Sequence, residues 1–123
     1  MPSTFRILVQ THHMTSRRKI YALTKAAKSL GCGVILKVGR PPGIMLAEGE
    51  RALQWLDLVK QLRYKDYRLL KKELIAQPLL DVPVGRVVEV TSVKELSTFL
   101  RTNTQLYEWW RLNMGFKKDP DAP

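Results

Sequence analysis

The chain has 123 residues, of which 45% are hydrophobic and 26% are charged. This length suits one globular domain with a single core, and the composition excludes wholesale disorder. The formal net charge of +10 is distributed unevenly, because residues 1–47 contain eight cations and no Asp or Glu. Such segregation favours a polyanionic partner, but nucleic acids, anionic membranes and acidic proteins all fit that description.

The single cysteine and the absence of long apolar runs indicate the compartment. Cys32 has no second cysteine with which to form a disulfide, which fits a reducing environment. No apolar run approaches the roughly 18–20 residues of a membrane span. We therefore expect an intracellular protein without membrane contact, with one domain over residues 1–116 and a flexible tail over residues 117–123.

Six segments in residues 1–77 have the sequence pattern of a strand or of a helix. Runs rich in β-branched and aromatic residues predict strands, and apolar residues spaced at i, i+3, i+4 and i+7 predict helices. The first helix has a capping residue at Thr15 or Ser16 and ends at Gly31, which suits the left-handed position after a helix. The predicted segments are strands at residues 5–10, 33–38, 43–47 and 67–75, a first helix ending at residue 31, and a second helix opened by residues 48–50 and ending at residue 62.

A Pro-rich connection, a short strand at residues 86–90 and two short helices at residues 93–101 and 104–114 follow these segments. Helices of this length are not stable alone, so we expect them to cover part of the sheet. The order of the first six segments is that of the ferredoxin-like fold. The predicted class is therefore α+β: a ferredoxin-like βαββαβ antiparallel sheet with two helices on one face, plus a C-terminal short strand and two short helices.

The segment from Thr11 to Lys19 joins the first strand to the first helix and is the first candidate site. Adjacent histidines on an extended segment point apart, and no second His or Cys cluster completes a zinc shell, so we predict no metal. We expect His12 and His13 to donate hydrogen bonds to a sugar or a base edge. The alternative is structural, with one histidine buried against a backbone carbonyl and the other exposed. Ser16 lacks the strained Gly-x-Ser-x-Gly turn of a nucleophile, so an enzyme is not predicted.

Cations on the polar face of the first helix form the strongest candidate cluster, because no carboxylate is interspersed among them. The hairpin between the second and third strands adds two more cations, although turn chemistry alone also explains its glycines and prolines. Base stacking in the manner of RNA recognition motifs is excluded, since the matching strands present no aromatic residue on their open face. The predicted RNA-binding residues are His12, His13, Ser16, Arg17, Arg18, Lys19, Lys25, Lys28, Lys37 and Arg40.

The last helix contains a second candidate site made of Tyr107, Trp109 and Trp110. These aromatic residues could stack on bases or form a protein interface. Neighbouring tryptophans on a helix point about 100° apart, so we expect one in the core and one at an edge. In the protein-interaction alternative, this helix or the edge strand at residues 86–90 would bind the partner.

Several segments also occur, in the same order and with the same spacing, in a known family. They are His12-His13 after a strand, the basic helix start at residues 16–19, Leu30-Gly31, the turn at residues 39–44, and Ala47-Glu48-Gly49. With them the chain resembles the C-terminal domain of spliceosomal pre-mRNA-processing factor three, a domain that also follows the RWD domain in RWD-containing proteins. The resemblance spans nearly the whole chain, including residues 93–100 and Trp110.

The resemblance implies a ferredoxin-like fold with C-terminal additions and, in the splicing-factor branch, binding of structured small nuclear RNA. We therefore predict a non-enzymatic RNA-binding module without a cofactor or a small-molecule substrate. The alternative is a protein–protein interaction module of the RWD-associated type that does not bind RNA. The expected location is nuclear if the splicing-factor branch applies and cytoplasmic otherwise.

Overall fold

A computed structural model describes residues 3–116 of the chain. Its sheet has five strands in the order β4-β1-β3-β2-β5. Four helices cover the two faces of this sheet. The elements are β1 (Thr4–Thr11), α1 (Arg17–Leu30), β2 (Gly33–Lys37), β3 (Gly43–Gly49), α2 (Ala52–Gln61), β4 (Arg68–Ile75), β5 (Val87–Val90), α3 (Val93–Leu100) and α4 (Thr104–Met114).

The pairing of the strands confirms the predicted ferredoxin-like class. β1 lies between β3 and β4 and is antiparallel to both, and β2 is antiparallel to β3. The short strand β5 pairs with β2 in parallel, which makes the sheet mixed and places β5 at one edge. β4 forms the opposite edge.

Helix α1 follows directly from its local sequence. The Ser16 side chain accepts a hydrogen bond from the backbone N–H of Lys19, which satisfies a donor that the first helical turn leaves free. Ile20, Leu23 and Ala27 lie on one side and are buried against the sheet. The helix ends at Gly31, whose φ of 66° is the left-handed conformation that glycine adopts without strain.

The sheet has an apolar core on each face. In β1, Ile7 and Val9 pack under α1 and α2, whereas Leu8 points to the other face and packs under α3 and α4. Alternate residues of a strand point to opposite faces, so a strand covered on both sides is apolar at successive positions. The C-terminal helices therefore cover the second face of the sheet, as predicted.

Several predicted boundaries differ from the structure, and two of them concern residues beside the sheet. We expected Glu48 to open the second helix, but it lies in β3, opposite Arg6 of β1, and α2 begins only at Ala52. A buried ion pair with Arg6 stabilises Glu48 in the sheet. The dipole at the N-terminus of a helix would have stabilised the Glu48 carboxylate less. Tyr67 precedes β4 instead of starting it.

Within residues 3–116, no helix is both long enough and apolar enough to cross a bilayer. The predicted flexible tail at residues 117–123 lies outside the described residues.

Candidate functional site

The segment between β1 and α1 is held against the hairpin that joins β2 to β3. Met14 and Gly39 exchange two backbone hydrogen bonds of 3.0 and 2.8 Å, and the N–H of Gly43 donates to the carbonyl of His12 at 2.8 Å. Gly43 allows this close approach, because a Cβ there would lie 2.3 Å from the Thr11 hydroxyl oxygen. The backbone around the two histidines is therefore fixed by tertiary contacts.

Neither histidine is buried. The side chain of His12 is 40% exposed, and its Nδ1 lies 3.5 Å from a carboxylate oxygen of Asp66. His13 is exposed, and its Nδ1 lies 3.4 Å from the hydroxyl of Thr15. The alternative in which one histidine is buried against a backbone carbonyl is therefore not what the structure shows. Within residues 3–116, no three His, Cys, Asp or Glu side chains are grouped as metal ligands.

The cations of α1 differ in whether they contact other side chains of the protein. Arg17 forms two hydrogen bonds, of 2.8 and 3.0 Å, with the Glu89 carboxylate on β5. The ammonium of Lys19 lies 4.8 Å from the centre of the Tyr64 ring, within range of a cation–π contact. The exposed cations of this helix are Arg17, Arg18, Lys25 and Lys28. Two of the five predicted phosphate ligands on this helix thus already have partners within the chain.

The hydrogen-bonded pair of Arg17 and Glu89 leads to a testable prediction about the pKa of Glu89. Hydrogen bonding from Arg17 lowers the pKa of Glu89, against a smaller opposing effect of burial. A lowered folded-state pKa stabilises the protein above the unfolded-state pKa, and this stabilisation is lost as the pH falls through the folded-state value. We expect Arg17→Ala to raise the Glu89 pKa, as followed by NMR titration of its carboxyl carbon. An unchanged pKa would contradict the pairing, and Arg18→Ala is the matched control.

Lys37 does not extend the α1 surface. It is only 3% exposed, and its ammonium donates to the backbone carbonyl of Arg40 at 2.5 Å. Burial lowers the pKa of Lys37, with a further contribution from nearby Arg40. Its cross-strand partner is Ile44, which packs in the core under α3 and α4. Lys37 therefore points to the face opposite α1, because side chains alternate along a strand, and the ten predicted residues do not form one continuous surface.

The aromatic residues of α4 are largely internal. Trp110 is 1% exposed and packs in the core under α3 and α4. Trp109 is half-buried, and the guanidinium groups of Arg101 and Arg111 lie 5.1 and 5.7 Å from the centre of the Tyr107 ring. One tryptophan thus lies in the core and the other lies nearer the edge, as the helical spacing predicts.

Trp109 belongs to a polar network that sequence reasoning missed. The Nε of Arg6 lies 2.7 Å from the Glu48 carboxylate, which also accepts from the backbone N–H groups of Leu79 and Leu80. The guanidinium of Arg6 lies 4.8 Å from the centre of the Trp109 ring. One sequence signal could have predicted this ion pair. Arg6 and Glu48 are charged residues in two otherwise apolar strands, and buried charges in proteins are paired.

The edge strand β4 lies beside this network and is the most exposed strand of the sheet. The indole N–H of Trp109 donates to the Glu73 carboxylate at 2.6 Å, which fixes α4 against β4. Leu74 of β4 is 61% exposed and Leu69 is 37% exposed. Leu69 and Leu74 lie along the open edge of the sheet, and we call β4 with these two side chains the β4 surface.

Comparison with known proteins places the fold. No family model and no curated protein matches the sequence. Among solved structures, Klebsiella pneumoniae BlrP1 in a manganese/cyclic-diGMP complex matches with a TM-score of 0.63 and 14% identity, over 90% of this chain and 33% of that one. A structure of the BlrP1 BLUF matches with a TM-score of 0.55 and 16% identity, over 96% of this chain and 81% of that one. The photo-activated state of BlsA matches with a TM-score of 0.57 and 12% identity, over 97% and 99%.

These matches establish a shared fold, and this chain spans about a third of the length of the BlrP1 chain. They also correct the function predicted from the sequence. The neighbours are BLUF domains and not a splicing-factor domain, so the predicted family membership is wrong. The predicted RNA-binding function, the spliceosomal role and the RNA partner fail with it, and so does the basis for expecting no small-molecule ligand. The shared ferredoxin-like topology explains why the segment order suggested the wrong family.

Proposed function

We propose that this chain is a non-enzymatic module with the BLUF fold that acts by binding another protein. The observation that supports this proposal is the β4 surface, where Leu69 and Leu74 are exposed on the same face of an edge strand. Exposed apolar residues that are grouped, rather than scattered singly, mark interaction sites on soluble proteins. Because an edge strand has unpaired backbone groups, it adds directional hydrogen bonds to such a site.

The relation to BLUF domains raises the question of a flavin, since those domains are flavin-binding signalling modules. The face under α1 and α2 is filled by apolar side chains, and Trp55 and Leu23 there have no accessible surface. The indole N–H of Trp55 on α2 donates to the Leu23 carbonyl on α1 at 3.0 Å, which joins the two helices. A side chain without accessible surface borders no space large enough even for water. A flavin ring would therefore have to displace this core.

The other face of the sheet is equally full. Leu8, Ile35 and Leu46 have no accessible surface under α3 and α4. Cofactor sites are cavities of roughly 300–1,000 Å³ with a few placed polar groups. Neither sheet face in this structure has such a space beside these residues, so the residues present do not fit a flavin. A protein partner is the better-supported ligand.

The proposal is tested by in-cell crosslinking of the tagged chain, followed by separate nuclease and protease treatment of the recovered adducts. We expect adducts of defined mass that survive nuclease and are removed by protease. The identified protein should then bind the purified chain with a measurable Kd. The same preparation should show no flavin absorbance.

Two results would contradict these expectations. Adducts that nuclease removes would exclude a protein partner as the main ligand. A stoichiometric yellow chromophore would show that the packed helix-covered core opens for a flavin. The control is Gln54→Ala, on the exposed side of α2, which should leave both the absorbance and the adducts unchanged.

A further inference from the structure

β4 has a neighbouring strand on only one side. The sheet order begins at β4, and β1 is its paired neighbour. No other strand among residues 3–116 pairs with its outer side. At eight residues, β4 is as long as β1 and twice as long as β5 at the opposite edge. It therefore offers the longer template for an added strand.

The cross-strand register assigns each β4 side chain to a face, because directly opposite residues point to the same side. Leu69, Lys72 and Leu74 pair with Val9, Ile7 and Phe5, so they lie on the α1/α2 side. Arg68, Lys71 and Glu73 pair with Gln10, Leu8 and Arg6, so they lie on the α3/α4 side. The register between β1 and β4 shifts between Leu8 and Val9. Directly opposite residues share a face on either side of this shift, so the assignment holds along the whole of β4.

The two faces of β4 differ chemically. On the α1/α2 side, two exposed leucines flank Lys72. On the α3/α4 side, Glu73 is already bonded to Trp109, which leaves Arg68 and Lys71 as exposed cations with no hydrogen bond or ion pair to the rest of residues 3–116. The open edge thus carries two exposed leucines on either side of Lys72 on one face, and two cations on the other.

A second copy of the chain is a poor occupant of this edge. Antiparallel pairing of β4 with itself, centred on Lys71 or Lys72 in the middle of the strand, sets that lysine opposite the same lysine of the other copy. Like charges directly opposite each other destabilise a strand pair. Lysines on an edge strand commonly prevent such self-association. This role of the lysines does not explain why Leu69 and Leu74 are exposed on the same strand.

We infer that β4 binds an extended segment of a partner protein in which apolar and acidic residues alternate. The segment adds a sixth strand to the sheet. Its apolar side chains cover Leu69 and Leu74, and its carboxylates face Arg68 and Lys71. Backbone hydrogen bonds supply affinity and the alternating side chains supply selectivity, as in other additions of a strand to a sheet edge. This inference rests on the proposed function and specifies the chemistry of the partner.

The probe is a nine-residue peptide in which valine alternates with glutamate, titrated into the ¹⁵N-labelled chain. We expect amide shifts and slowed hydrogen exchange at β4. The double variant Arg68→Glu/Lys71→Glu should weaken binding roughly tenfold or more, because two attractive charge pairs become repulsive. Lys94→Glu on α3 is the matched control and should bind normally.

A valine–lysine peptide of equal length should not bind, and prolines in place of two central valines should abolish binding of the acidic peptide by removing backbone donors. The inference is overturned if the acidic peptide fails to bind, shifts amides away from β4, or binds the double variant and Lys94→Glu equally. A partner recovered by crosslinking that still binds the double variant would overturn this inference alone. Complete absence of a protein partner would overturn the proposed function.

Discussion

Replacing Glu48 with glutamine is expected to lower the free energy of unfolding by about 3–5 kcal/mol, the cost of leaving one partner of a buried ion pair uncompensated. The Glu48 carboxylate lies 2.7 Å from the Nε of Arg6 and 2.7 Å from the backbone N of Leu80. Glutamine has nearly the same shape but no charge, so Arg6 would lose its buried counterion and keep only the partly exposed Glu73 carboxylate, 3.9 Å away. Chemical denaturation followed by circular dichroism measures this loss.

Two further variants define what the Glu48 result means. Glu50→Gln changes an exposed carboxylate two residues away and should leave stability within about 0.5 kcal/mol. Arg6→Met/Glu48→Met removes both charges and should recover part of the lost stability. Recovery should be incomplete, because the N–H groups of Leu79 and Leu80 also lose their acceptor. Equal stabilities for Glu48→Gln and Glu50→Gln would show that the pair does not stabilise the fold.

Trp55→Ala is the second change with a large expected effect. Trp55 has no accessible surface and is hydrogen-bonded across the α1/α2 interface to Leu23. Truncating a buried tryptophan removes its packing and leaves a cavity, which costs about 3–5 kcal/mol. Thermal unfolding measures the loss, and the melting temperature should fall most for alanine.

Trp55→Phe is a smaller truncation at the same position. It keeps one aromatic ring but loses the N–H donor and part of the indole volume, so we expect a smaller loss of about 1–3 kcal/mol. Gln54→Ala, on the exposed side of α2, is the matched control and should be near neutral. A loss for Trp55→Ala no larger than that for Gln54→Ala would be inconsistent with a packed interface between α1 and α2.

Local chemistry made several features of the fold predictable. Ser16 and Gly31 delimit α1 because a hydroxyl side chain satisfies a free N–H at one end and glycine adopts a positive φ at the other. The spacing of Ile20, Leu23 and Ala27 predicted which side of α1 is buried. Such signals depend on contacts within one helical turn, so they can be read without knowing the rest of the molecule.

The candidate site was less predictable, because it depends on contacts between distant segments. Arg17 was expected to be free for phosphate, but Glu89 lies 72 residues away in sequence and bonds to it in the structure. Lys37 was expected on the α1 surface, but the pleat of β2 turns it to the other face. The sequence around Arg17 and Lys37 did not reveal these contacts. A cation on a helix or strand has the same sequence pattern whether or not a distant partner is present.

The sequence by itself determined the order of the elements, the ends of α1 and the ferredoxin-like class, because periodicity and capping act over a few residues. Only the tertiary structure decided that Glu48 is a strand residue paired with Arg6, that both sheet faces are filled, and that β4 is left as an exposed edge. These features depend on which strands become neighbours. That choice is made by the packing of the whole chain, so the surface available for function emerged only from the fold.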